Sequence, residues 1–85
     1  MRLISQDGMI DVPYEISALS IGVRCESATI YVRSKLLDER PCVFATYSNT
    51  DKALKVMEKL RDSYSRFTNT YNIIFRFPKD DEVEV

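Results

Sequence analysis

Histidine and tryptophan are absent from this 85-residue chain, and glycine occurs only twice, at Gly8 and Gly22. Without histidine there is no Ser-His-Asp or Cys-His catalysis, no imidazole-ligated metal and no imidazole pH switch. Two glycines cannot build a glycine-rich loop that cradles phosphate. Cysteine is also scarce. Cys25 and Cys42 lack a C-x-x-C pattern and are too few for the disulfide framework of a small secreted domain. Both sit inside strand-like runs and are expected to pack as reduced, buried thiols, with a disulfide or a reactive thiol as the alternatives. Charge of one sign is missing too. Twelve basic and 13 acidic residues leave a net charge of −1, against the basic excess of a nucleic-acid coat protein.

Long apolar runs are absent as well. Nothing approaches the roughly 18 residues that span a bilayer. Arg2, Ser5, Gln6, Asp7 and Asp11 interrupt the N-terminal stretch, so no signal-peptide core is present. The expectation is a cytoplasmic protein with no membrane association.

What is there patterns as strands first. Residues 2–6 and 9–13 flank Asp7-Gly8, which predicts a hairpin with a two-residue type I′ turn. Ser5 then faces Ile10, Ile4 faces Asp11 and Leu3 faces Val12, with Leu3, Ser5, Ile10 and Val12 toward the core. Pro13 ends the second strand or holds it at an edge. Residues 16–24 carry Leu19, Ile21 and Val23 on one face and Ala18, Ser20, Gly22 and Arg24 on the other. Cys25-Glu26-Ser27 reads as a turn. Residues 28–35 alternate, with Ala28, Ile30 and Val32 inward and Thr29, Tyr31, Arg33 and Lys35 outward. Residues 42–47 are apolar on both faces, which predicts a central strand.

One helix follows. Ser48 and Asp51 fit a capping box. Ala53, Val56, Met57, Leu60, Tyr64 and Phe67 recur at helical spacing, as on a helix lying on a sheet. Lys52, Lys55, Lys59, Asp62 and Arg66 take the wet side, where Lys52, Lys55, Lys59, Arg61 and Arg66 make a modest positive stripe. Residues 71–77 read as a last strand, with Tyr71, Ile73, Phe75 and Phe77 on one face and Ile74 and Arg76 on the other. The fold class is therefore α+β: an antiparallel sheet of about six strands, with one amphipathic helix packed on one face and placed before the last strand. Residues 1–79 form a single domain, and residues 80–85 an acidic, mobile tail.

No catalytic constellation is present. Asp38 with Glu39 and Asp80 with Asp81 lie in loop or tail sequence, where nothing raises a carboxyl pKa for acid–base work. The chain reads as a non-enzymatic binding protein, with no catalytic residues, metal site or cofactor. The candidate ligand-binding residues are Arg24, Tyr31, Arg33, Lys35 and Arg76, all opposite the core stripes. Arginines beside an aromatic on strands can bind phosphates and stack a base, although the same residues are also ordinary on a solvated sheet face. Apolar outward residues, Ile4, Met9 and Ile74, point to a homodimer, since one helix covers only one face of such a sheet.

The stretches RLISQDGMIDVPYE, ATYSNTDKALKVMEKLR and FRFPKDDEVEV resemble a family of small, uncharacterised proteins from phages and mobile elements of Gram-positive bacteria. The three stretches cover about half of the chain, and members often have a longer connection between the helix and the final strand. The resemblance implies a setting more than a mechanism. In general style and size the chain is also similar to phage sponge proteins that inhibit Thoeris immunity by sequestering ADP-ribose-type signalling nucleotides; that similarity carries over no site residues. The expected partner is thus a small phosphorylated nucleotide, in a counter-defence role. The alternatives are a host protein, bound as an interaction or inhibitor module, and, disfavoured by charge, nucleic acid.

Overall fold

The first hairpin forms in the register its alternation dictates: Leu3 pairs with Val12 and Ile4 with Asp11, and the Ser5 amide donates to the Ile10 carbonyl at 2.9 Å. The computed structural model describes residues 1–34, 40–66 and 73–83. Its elements are β1 (Arg2–Ile4), β2 (Asp11–Pro13), β3 (Ser17–Arg24), β4 (Ser27–Ser34), β5 (Cys42–Tyr47), α1 (Thr50–Arg66) and β6 (Ile74–Arg76), with short 3-10 turns at Tyr14–Ile16 and Asp80–Glu82. The class is α+β with one helix among the described residues.

The single antiparallel sheet of six strands does not form. Two three-stranded sheets take its place, ordered β2-β1-β6 and β3-β4-β5. Pro13 turns its missing N–H to the free edge of β2, so the ladder runs on to the Tyr14 amide, which donates to the Met1 carbonyl at 2.8 Å; the chain then bends through the Tyr14–Ile16 turn before the second sheet begins. β6 then runs parallel to β1, Phe75 opposite Leu3. A parallel neighbour needs a long return path, which the second sheet and α1 supply.

The two tight turns exchange the roles that composition suggests. Around Asp7-Gly8 only Gly8 has positive φ, 78°, and its amide donates to the Ser5 carbonyl at 2.9 Å. Four residues, Gln6 to Met9, make that loop, so it is not a two-residue type I′ turn. The Asp7 carboxylate accepts from the Ser5 hydroxyl at 2.6 Å and from the Met9 amide at 3.0 Å. The two-residue turn lies instead at Cys25-Glu26, with φ of 50° and 72° and Arg24 opposite Ser27. Cys25 is therefore exposed rather than buried, and Cys42 is half-buried; both thiols are free.

β5 is not a central strand. Its two-sided apolar pattern comes from a bulge: Ile30 pairs with Ala45 and Tyr31 with Val43, leaving Phe44 extra. Phe44 and Ala45 are consecutively buried as a result. On the far edge of β5 sits Gln6. Its backbone amide donates to the Phe44 carbonyl at 2.7 Å. Its side-chain amide accepts from the Thr46 N–H at 3.1 Å and donates to the Thr46 carbonyl at 3.3 Å and the Pro78 carbonyl at 3.0 Å. One glutamine thus stands in for a strand and joins the two sheets.

The helix buries Ala53, Val56 and Leu60, with Met57 and Tyr64 half-buried; Phe67 of the expected stripe lies outside the described residues. It lies over β4 and β5. Its start is one residue later than the sequence suggests: the Asn49 carboxamide, not Ser48, accepts from the Lys52 amide at 2.9 Å. Asp62 and Arg66 pair at 3.0 Å. Phe77 packs edge-on against Phe44 and Phe75, at centroid distances of 5.7 and 5.3 Å. Tyr47, buried, donates to the Pro78 carbonyl at 2.7 Å. Burial pushes its phenol pKa up, and the charges of Asp80 and Glu82 push it further.

Residues 80–83 do not behave as a tail. The Asp80 carboxylate accepts from the Ser48 amide at 2.7 Å, the Lys52 ammonium donates to the Asp80 carbonyl at 2.9 Å, and Val83 is buried. The acidic run reads as solvated, but its first carboxylate meets an unpaired amide just ahead of the helix and its first valine reaches the core. Lys52 accordingly leaves the wet stripe.

Candidate functional site

The outer face of the second sheet is the side that α1 leaves uncovered. Strand alternation fixes what it carries. Leu19, Ile21 and Val23 pair with Val32, Ile30 and Ala28 on the inner face, so Ala18, Ser20, Gly22 and Arg24 face outward with Arg33, Tyr31, Thr29 and Ser27 opposite them. Arg24, Tyr31 and Arg33 therefore share one face, as the alternation implies.

Within one chain they do not all converge. Arg24 lies opposite Ser27 and Arg33 opposite Ala18, six residues apart along each strand. At about 3.3 Å per residue the two arginines stand roughly 20 Å apart. Arg76 belongs to β6 in the other sheet. It lines a different cleft, with Lys79, Gln6, Asp81 and Glu82, where charges of both signs meet. Lys35 lies outside the described residues.

Tyr31 and Arg33 do come together. With Ala18, Leu19, Ser20 and Pro41 they line an open cleft of about 310 Å³. Gly22 sets the position of the tyrosine ring. An added β-carbon there would lie 2.8 Å from the ring's Cε2, so the ring occupies the space a side chain at Gly22 would fill. An aromatic ring, a guanidinium, Ser20 and the small Ala18 thus border one concavity, a set suited to a flat ring bearing an anionic group. Pro41, Ala18 and Ser20 carried no chemical signal in the sequence; the β3–β4 register brings Ala18 and Ser20 beside Tyr31 and Arg33, and Pro41 arrives ahead of β5, whose Cys42 pairs with Val32.

Among the described residues no group of three or more Cys, Asp or Glu side chains is placed to hold a metal ion. No helix among them is long and apolar enough to cross a membrane. No protein-family model, curated protein or solved structure matches the chain.

Proposed function

We propose that the protein is a non-enzymatic binding protein that sequesters a small phosphorylated nucleotide on the outer face of β3 and β4, in the counter-defence setting of a phage or mobile element. One observation carries the reading: Tyr31, laid over Gly22, and Arg33 border the same cleft. The ring offers a stacking surface for a base, and the guanidinium offers paired donors to a phosphate. The reading assigns these two side chains a binding role alone.

Titration calorimetry with ADP-ribose, its cyclic derivatives and cyclic dinucleotides tests this. The wild type is expected to bind at least one of them, with Arg33→Ala and Tyr31→Ala folded but at least about tenfold weaker, the scale of one lost charge-assisted contact. If the wild type binds none, the reading fails, and the same face, where Val43 is exposed opposite Tyr31, becomes the place to look for a host protein.

A further inference from the structure

The free edge of β3 is the least protected strand edge among the described residues. β3 has eight residues and one strand neighbour, β4, and its far edge makes no backbone pairing with another described segment. Isolated edges are normally blunted by lysine, proline, inward charges or bulges. SALSIGVR has none of these: its one charge, Arg24, is at the end, and its pairing with β4 is unbroken over eight residues. The inner face beside this edge is incompletely covered, with Leu19 and Ile21 half-buried and Val23 60% exposed.

We infer that two copies pair β3 to β3, antiparallel, about a two-fold axis at Ile21, and that the partner's Arg24 completes the Tyr31–Arg33 cleft. Only a register whose paired numbers sum to an even value keeps the outer faces of both copies on one side. Centring on Ile21 sets Ile21 opposite the partner's Ile21, and Leu19 opposite the partner's Val23. The result is a continuous apolar ladder that covers the exposed valine. Centring on Ser20 would instead put Ser17 opposite the partner's Val23, and centring on Gly22 would shorten the ladder to five pairs. On the outer face the Ile21 register sets the partner's Arg24 opposite Ala18, which is itself opposite Arg33. Two arginines that stand about 20 Å apart in one chain then flank a single alanine at two strand spacings, on the order of 10 Å. Two guanidiniums that face each other across a methyl group call for an anion of two or more charges between them, such as a diphosphate. The pair of sites on one six-stranded surface follows from the two-fold axis.

The composite site rests on the nucleotide reading above, but the pairing does not, and the two are tested separately. Light scattering at micromolar concentration is expected to give about twice the 9.9 kDa chain mass. Val23→Lys, a change at an exposed position, should return the monomer mass with an unchanged far-ultraviolet spectrum, whereas Leu54→Lys, also at an exposed position but on the helix, should leave the dimer intact. A wild type that is monomeric, or a Val23→Lys protein that remains dimeric, overturns the β3 pairing whatever the ligand. Titrated with ADP-ribose, Arg24→Ala should lose about as much affinity as Arg33→Ala, tenfold or more. A dimer whose binding is indifferent to Arg24 overturns the composite site, and a β3-paired dimer that binds no ADP-ribose overturns the diphosphate site while upholding the pairing.

Discussion

Gly22 and Tyr31 are fitted to each other: a β-carbon at position 22 would approach the tyrosine ring to 2.8 Å. The two residues sit on neighbouring strands, one pleat off direct opposition. Gly22→Ala adds that carbon without backbone strain, since glycine here has no left-handed φ. The ring end can swing aside, and alanine loses less backbone entropy than glycine on folding. Stability should therefore change by less than about 1 kcal/mol. The Tyr31 ring resonances should shift, and affinity in the cleft should fall with them.

Glu26 holds φ of 72° and Cys25 holds 50° in the turn between β3 and β4. Left-handed backbone costs a residue with a β-carbon roughly 1–2 kcal/mol, partly offset by glycine's greater entropy loss. Glu26→Gly should thus stabilise the fold by about 0.5–1 kcal/mol. Urea denaturation, read as a higher midpoint at unchanged slope, checks this.

Gln6→Ala removes the side-chain bonds to Thr46 and Pro78. These are partly exposed, so each is worth the lower part of the usual range, and the total should be about 1–2 kcal/mol. Gln6→Glu should also destabilise, because a carboxylate cannot donate to the two carbonyls. A fold indifferent to both changes would show that the Gln6 side chain does not help to hold the sheets together.

Asp7 and Asp80 both bind a proton less readily in the folded chain than at their ordinary value of 3.8. The Ser5 hydroxyl and then the Met9 amide hold Asp7 down. The Ser48 amide is the main cause at Asp80, with the Lys52 charge adding to it. Depressed carboxyls contribute stability that is present in full above the unfolded value and is lost as pH falls through the folded one. The urea midpoint should therefore hold from neutrality to about pH 4 and fall below it, with Asp80→Asn showing a shallower fall. A midpoint that rises on acidification would contradict these bonds.

Much of the local structure was legible in the alternation of side chains. The faces of Leu3 and Val12, of Ile30 and Val32, and of Ala53, Val56 and Leu60 follow from period alone. What could not be read were the long-range choices. Nothing in YNIIFRF distinguishes parallel from antiparallel pairing with β1, and Phe44-Ala45 looks like a two-sided central strand because a bulge leaves no mark in composition. The turn chemistry misled for a related reason. Asp-Gly is the stronger local signal, yet the register of the longer β3–β4 pair forces positive φ onto Cys25 and Glu26. At the candidate site the shared face of Arg24, Tyr31 and Arg33 was legible, whereas their separation, and the removal of Arg76 to another sheet, depend on topology.

The location of the binding surface is most directly read from amide chemical shifts of the isotopically labelled protein during addition of ADP-ribose. The expected result is movement of Ala18, Ser20, Tyr31 and Arg33 first and most, with Arg76 and Lys79 unmoved. Shifts confined to the Arg76–Lys79 cleft, or none at saturating ligand, would contradict a nucleotide site on the outer face of β3 and β4.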